Sequence, residues 1–189
     1  MIIFYDHFIY KNKKIIFLAY SNCICGLILP DFKKGKVPKI KETPIFKHLK
    51  RHLGNLSLKR EKMPIFEMAK DALFSYFSFK TSFNIPILPV GTPFQKRVWQ
   101  VIQNVPFGKT ITYQELAMKA GCPKGQRAVA LACKANPIPI FIPCHRIIGK
   151  KTIGGYAIGL NWKFFLLKHE LAYPQSGWYL NSFFMKEDV

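Results

Sequence analysis

The sequence predicts an α/β protein in two parts: a small N-terminal antiparallel sheet with a helix, then a mostly helical C-terminal domain containing a helix-turn-helix. Three observations carry this. The chain opens with runs rich in Ile, Phe and Tyr, separated by short polar breaks, as short antiparallel strands are. Past residue 90 the punctuation changes to helix caps whose paired residues stand three positions apart. Between the two lies the proline-rich "NIPILPVG", which places a boundary near 85–91 and divides the chain into 1–90 and 91–189.

Taken in order, "IIFYDHFIY", "KIIFLAY" and "CICGLILP" give three strands, broken at Asn-Lys and Ser-Asn. The segment "KNKKIIFLAYSNCICGLILP" has the basic start and apolar run of a leader or membrane segment. However, Ser21, Asn22 and Gly26 interrupt it and it is short for a span, so it reads as two strands and a turn in a soluble protein. A basic loop follows, "DFKKGKVPKIKETP", and the sequence leaves the order of 31–64 open. In "PIFEMAKDALFSYFSF", Phe66, Ala69, Leu73 and Phe77 recur at helical spacing and share one face.

The second part opens on "TPFQKRVWQVIQNV". Thr92 is the N-cap, Pro93 the first helical residue, and Gln95 completes a capping box. Phe94, Val98, Trp99, Ile102 and Val105 form its apolar face. Thr112 and Glu115 repeat the capping box in "TYQELAMKAG", and Gly121 stops that helix. "GQRAVALACKAN" is a further short helix, with Arg127 near its start. The pair is a helix-turn-helix candidate.

With 189 residues, 49% of them hydrophobic, the chain can bury a core. Twenty-nine basic residues against ten acidic ones give a net charge of +19, which makes a polyanion the expected partner. The charge is uneven: between Glu115 and Glu170 there is no carboxylate, while Lys119, Lys124, Arg127, Lys134, Arg146, Lys150, Lys151, Lys163 and Lys168 all fall there. Such an interval suits a phosphate backbone. Five cysteines at irregular spacing do not suggest a disulfide framework and fit a reducing compartment. Cys23 and Cys25 read as neighbours on opposite faces of a strand rather than as metal ligands.

Inside the cationic interval stands "NPIPIFIPCHRIIGKK", an apolar segment that reads as a buried strand ending on Cys144 and His145. A thiol beside an imidazole can be a nucleophile and its base, half of a metal site, or ordinary packing. Adjacent side chains on an extended segment point apart, so cooperation requires the backbone to turn, and Pro143 allows that. A histidine base also needs an orienting acceptor, and the nearest carboxylates in sequence are Glu115 and Glu170.

"IPCHRII" resembles the active-site motif of the O6-alkylguanine-DNA alkyltransferase family. "GTPFQKRVWQVIQNVPFGKTITYQELA", "PKGQRAVALACKANPIPI" and "GGYAIGLNWKFFLLKHE" resemble, in the same order, that family's leading helix, recognition helix and closing segment. The resemblance is dense from Gly91 to Glu170 and looser over 1–90. It implies a protein that binds double-stranded DNA, flips out an alkylated base, and moves the alkyl group of O6-alkylguanine, and of O4-alkylthymine, onto cysteine. By resemblance Cys144 is the acceptor, His145 takes its proton through a water, and Glu170 orients His145. Tyr113 donates to the flipped guanine, and Arg127 fills the space the base leaves. Asn136 holds the turn around the cysteine, and Tyr156 walls the pocket. Backbone groups at Cys144, Ile147 and Ala157 read the guanine edge. Ala128, Ala130, Ala132 and Ala135 keep the recognition helix slim enough for a minor groove. The product is a thioether with no leaving group, so each molecule acts once and no cofactor is needed.

The same resemblance implies a monomer in the cytoplasm, or in the nucleus of a eukaryote, with no membrane partner. No cysteine and histidine set in 1–90 matches the zinc site of some members, so no metal is expected. Leu131 and Cys133 depart from the family's small or differently shaped residues, and Leu131 either obstructs groove entry or faces the core. The loop "IGKKTIGGY" is about one residue short, and the apolar tail 171–189 has no assignment. Two competing functions remain at this stage: a lesion recogniser without transfer, which the presence of Cys144 disfavours, and a Cys-His hydrolase, which the cationic interval disfavours.

Overall fold

The computed structural model describes residues 1–79 and 84–170. The tail 171–189 lies outside the described residues. Strands β1 (Ile2–Tyr10), β2 (Lys13–Tyr20) and β3 (Cys23–Ile28) form an antiparallel meander. Both hairpins close through two residues with positive φ, Lys11-Asn12 and Ser21-Asn22. This is the turn whose twist matches that of paired strands.

Two elements depart from the expected basic loop. Helix α1 (Pro44–Leu53) begins at Thr43, whose side chain accepts from the Phe46 N–H, with Pro44 in the first turn. Strand β4 (Ser57–Arg60) then runs parallel to β1, so the sheet order is β3-β2-β1-β4 and one edge pairing is not antiparallel. The physical need for α1 lies in β2. Ile15, Ile16, Phe17, Leu18 and Ala19 are all buried, so both faces of the strand are covered. Ile15, Phe17 and Ala19 join the main core with α2 (Pro64–Phe77), whereas Ile16 and Leu18 pack with Leu49 of α1.

Phe66, Ala69, Leu73 and Phe77 of α2 are buried, as their spacing predicts. The main core continues through Val98, Trp99 and Ile102 of α3 (Pro93–Gln103), Leu116 of α4 (Tyr113–Lys119), Val129 of α5 (Gln126–Lys134) and Leu166 of α6 (Leu160–His169). Both expected capping boxes are present, at Thr92/Gln95 and Thr112/Glu115. "NIPILPVG" is stitched to the edge of β3: Ile24 N–H donates to Pro86 O at 2.9 Å and Leu88 N–H to Ile24 O at 2.8 Å.

The apolar run before Cys144 is not a strand. It is buried and irregular, with a single bridge between Pro139 and Ile142, and Ile140 adopts a φ of 74°. Prolines at 137, 139 and 143 remove the N–H groups that a ladder requires. Two short strands, β5 (Ile111–Thr112) and β6 (Ile147–Ile148), pair in parallel and fasten the segment after Cys144 to the start of α4. No helix among the described residues is long and apolar enough to cross a membrane.

Candidate active site

The local turn settles how Cys144 and His145 are arranged. Residues Cys144–Arg146 form one 3-10 turn after Pro143, so successive side chains diverge around it instead of alternating across a strand. Cys144 faces a cavity of about 420 Å³ lined by Tyr113, Ala130, Cys133, Lys134, Gly155, Tyr156 and Ala157. His145 is turned inward and is fully buried.

Asn136, at the end of α5, holds the thiol side. Its Nδ2 donates to Ile142 O at 2.8 Å and to Cys144 Sγ at 3.0 Å, and its Oδ1 accepts from the Ile138 N–H at 3.0 Å. One amide therefore fixes the irregular segment and the sulfur together. The Tyr156 hydroxyl is buried near the sulfur but misses hydrogen-bond geometry, so it counts as an electrostatic neighbour. Burial pushes the Cys144 thiol up, against the pull of the Asn136 amide and the Lys163 ammonium, so the resting group is a protonated thiol.

His145 meets Glu170 on its other side, with Nε2 2.7 Å from Oε1. Glu170 is a hub at the end of α6. It also accepts from Arg146 Nε at 2.8 Å and Nη2 at 2.9 Å, from the Tyr76 hydroxyl at 2.7 Å and from the Gly108 N–H at 3.2 Å. Gly108 reaches it from a turn with a φ of 73°, where a side chain would be strained. Burial works to raise the Glu170 carboxyl, but His145 and Arg146 outweigh it and hold it down at about 2. An ionised carboxylate only accepts, so His145 Nε2 carries the proton. Burial lowers the His145 pKa below its ordinary value despite Glu170, so the ring is neutral at pH 7 and Nδ1 carries a lone pair. That nitrogen is buried and has no hydrogen-bond partner among the described residues. The arrangement is an oriented neutral base with its acceptor nitrogen free. Of the two carboxylates nearest in sequence, Glu115 is spent in its own capping box, where Oε2 accepts from Thr112.

The remaining sequence candidates fall into three places. Tyr113, Tyr156 and Ala157 line the cavity with Cys144. Tyr113 is half-buried at the first residue of α4, and burial pushes its hydroxyl up to about 12, which keeps it a proton donor. Gly154 makes room for it: a Cβ there would lie 2.9 Å from Tyr113 Cε2. Ile147 does not line the cavity; its side chain is buried and its carbonyl accepts from Lys163 Nζ at 2.6 Å. Arg127 stands exposed in the first turn of α5, away from the cavity wall.

Helix α5 is tied to α3 by Trp99 Nε1, which donates to Ala132 O at 2.8 Å. It buries Val129, Ala132 and Cys133 and exposes Arg127, Ala128, Leu131 and Lys134. Ala132 is therefore a core residue and not part of the outward face. Leu131 faces solvent, with 66% of its surface exposed, and does not face the core.

Arg146 and Lys163, counted among the cations of the 115–170 interval, are buried and bonded inside the protein, so neither belongs to a phosphate-facing surface, and Tyr76 joins them at the site. Arg146 anchors Glu170 and also donates to Val105 O at 2.6 Å. Lys163 is fully buried, and burial pulls its ammonium down to about 8; its place in the apolar run "NWKFFLL" was the available signal. Tyr76 comes from α2, 94 residues before its partner Glu170, and nothing local marks it. Among the described residues no three His, Cys, Asp or Glu side chains converge as metal ligands.

Residues 93–172 match the family described as 6-O-methylguanine DNA methyltransferase, DNA binding domain. A methylated-DNA–protein-cysteine methyltransferase of Methanosarcina barkeri is 48% identical over 112 residues, covering 58% of this chain and 71% of that protein. Among solved structures, Mycobacterium tuberculosis OGT in complex with DNA superposes with a TM-score of 0.69 at 29% identity, over 88% of this chain and 92% of that one. The O6-methylguanine-DNA methyltransferase of Pyrococcus kodakaraensis strain KOD1 gives a TM-score of 0.71 at 28% identity, over 89% and 98%.

Proposed function

The chain belongs to the methylated-DNA–protein-cysteine methyltransferase family, and from that premise we propose that it repairs DNA by moving the alkyl group of O6-alkylguanine, and of O4-alkylthymine, onto Cys144. The observation that carries the assignment of roles is the 2.7 Å contact between His145 Nε2 and Glu170, which leaves Nδ1 as the free base behind the thiol turn.

The chemistry follows from the charges. The protonated Cys144 thiol is a poor nucleophile and must lose its proton as it reacts. His145 takes that proton at Nδ1 through an intervening water, and the imidazolium formed is stabilised by the Glu170 carboxylate. The sulfur attacks the saturated carbon of the alkyl group in line, a C–S bond forms, and the C–O6 bond breaks. Guanine departs with the bonding pair as an anion and is protonated from solvent, and the imidazolium returns the thiol's proton to solvent, so the net change is the exchange of that proton for the alkyl group. Tyr113, held as a donor, offsets charge on the departing base. The thioether cannot be hydrolysed at this site, so each molecule reacts once.

Arg127, exposed at the start of α5, fills the stack when the base is turned out into the cavity, and Tyr156 and Ala157 bound the base there.

Incubation with O6-benzylguanine followed by intact-mass analysis tests the assignment. Wild type gains one benzyl group and Cys144→Ser gains none. No adduct on wild type, or an equal adduct on the serine variant, overturns it.

A further inference from the structure

A second and larger concavity adjoins the Cys144 cavity. It is a groove of about 950 Å³ between the end of β3, α1 and the outer face of α5. Its floor is apolar, with Leu29, Ile45 and Ile158, and its rim carries Lys36, Lys47, Arg51 and Lys134. All four rim cations are exposed, and among the described residues none forms an ion pair. The one acid on its wall, Asp31, accepts the Lys34 N–H at 2.7 Å. His48, also on the wall, is buried against Val90 O, and burial lowers its pKa, so it adds no charge at pH 7. Lys134 and Ala157 line both the groove and the Cys144 cavity, so the two lie side by side.

We propose that this groove is a second stretch of the DNA interface and takes the sugar-phosphate backbone of the strand running on from α5. The proposal rests on the DNA-repair reading above. Uncompensated cations around an apolar floor match a backbone that presents phosphates outward and deoxyribose C–H groups inward. Adjacency to the cavity places the groove beside the path of a strand whose base lies near Cys144. Helix α1, from the N-terminal part of the chain, thereby joins the contact surface that α5 begins.

The test is the salt dependence of duplex affinity. Each phosphate neutralised contributes about 0.9 to the slope of log affinity against log salt. Lys47→Gln/Arg51→Gln should flatten that slope by about 2 on a duplex longer than the α5 footprint. Arg60→Gln/Lys62→Gln makes the same change in charge at β4, on the opposite edge of the sheet, and should leave the slope within about 0.5 of wild type. Unchanged thermal midpoints for both variants establish that they are folded. An unchanged slope for the α1 variant, or equal flattening in the two variants, overturns the proposal. The slopes need no alkyl transfer, so a wild type that binds DNA but forms no benzyl adduct would strike the Cys144 assignment and leave this test readable.

Discussion

The hydroxyl of Tyr76 donates to Glu170 at 2.7 Å, joining α2 of the N-terminal part to the carboxylate that also holds His145. This bond couples the two parts of the chain through the chemistry. Tyr76→Phe removes the donor and keeps the ring, which packs near Phe77, Phe107 and His169. It should cost about 1–2 kcal/mol in denaturant unfolding. It should also slow benzyl transfer, because Glu170 loses one of the donors that fix its position. A transfer rate equal to wild type would show that the bond is structural only.

Acid should expose the Glu170 network. The folded-state pKa is held at about 2 against an ordinary value of 4.5, so its stabilisation is complete above 4.5 and is lost as pH falls toward 2. The shift corresponds to a loss on the order of 3 kcal/mol. Unfolding free energy measured between pH 5 and 2 should fall more steeply for wild type than for Glu170→Gln. Parallel curves would place the acid sensitivity elsewhere, for example at Asp6, which Lys70 holds in the same direction.

Gly154→Ala should damage the pocket beyond its cost in stability. The residue has a φ of 72°, which costs a non-glycine residue about 1–2 kcal/mol. The added Cβ would press on the Tyr113 ring, so transfer should slow by more than tenfold while Gly121→Ala, also at positive φ but with open space around it, keeps its rate. Stopped adduct formation followed by mass separates the two.

Arg127→Ala should act on DNA and not on the bond-making step. Flipping a base out of the stack costs a few kcal/mol, and under the proposed function the exposed Arg127 offsets it. The ratio of transfer rate on a methylated duplex to that on free O6-benzylguanine should fall at least tenfold. An unchanged ratio would remove Arg127 from the flipping step.

Much of the site was legible because its signals are local. Thr92, Gln95, Thr112 and Glu115 cap helices within four residues, and Cys144 and His145 stand together in a motif. The same Thr-Pro signature stands at Thr43-Pro44 inside the basic stretch, and the unalternating run "IIFLA" of β2 demands the cover on both faces that α1 supplies. The segment before Cys144 looked like a strand because apolar runs do, while its prolines had already removed the ladder.

The sequence by itself determined where α3 and α4 begin, which hairpins turn, and which thiol and imidazole lie together, since each depends on contacts a few residues apart. Only the tertiary structure decided that His145 turns away from the cavity toward Glu170, that Arg146, Gly108 and Tyr76 converge on the same carboxylate, and that Nδ1 is left free. Those outcomes depend on long-range packing, which brings residues 76, 108, 146 and 170 to one point where water is excluded and an ionised carboxylate must find its partners inside the protein.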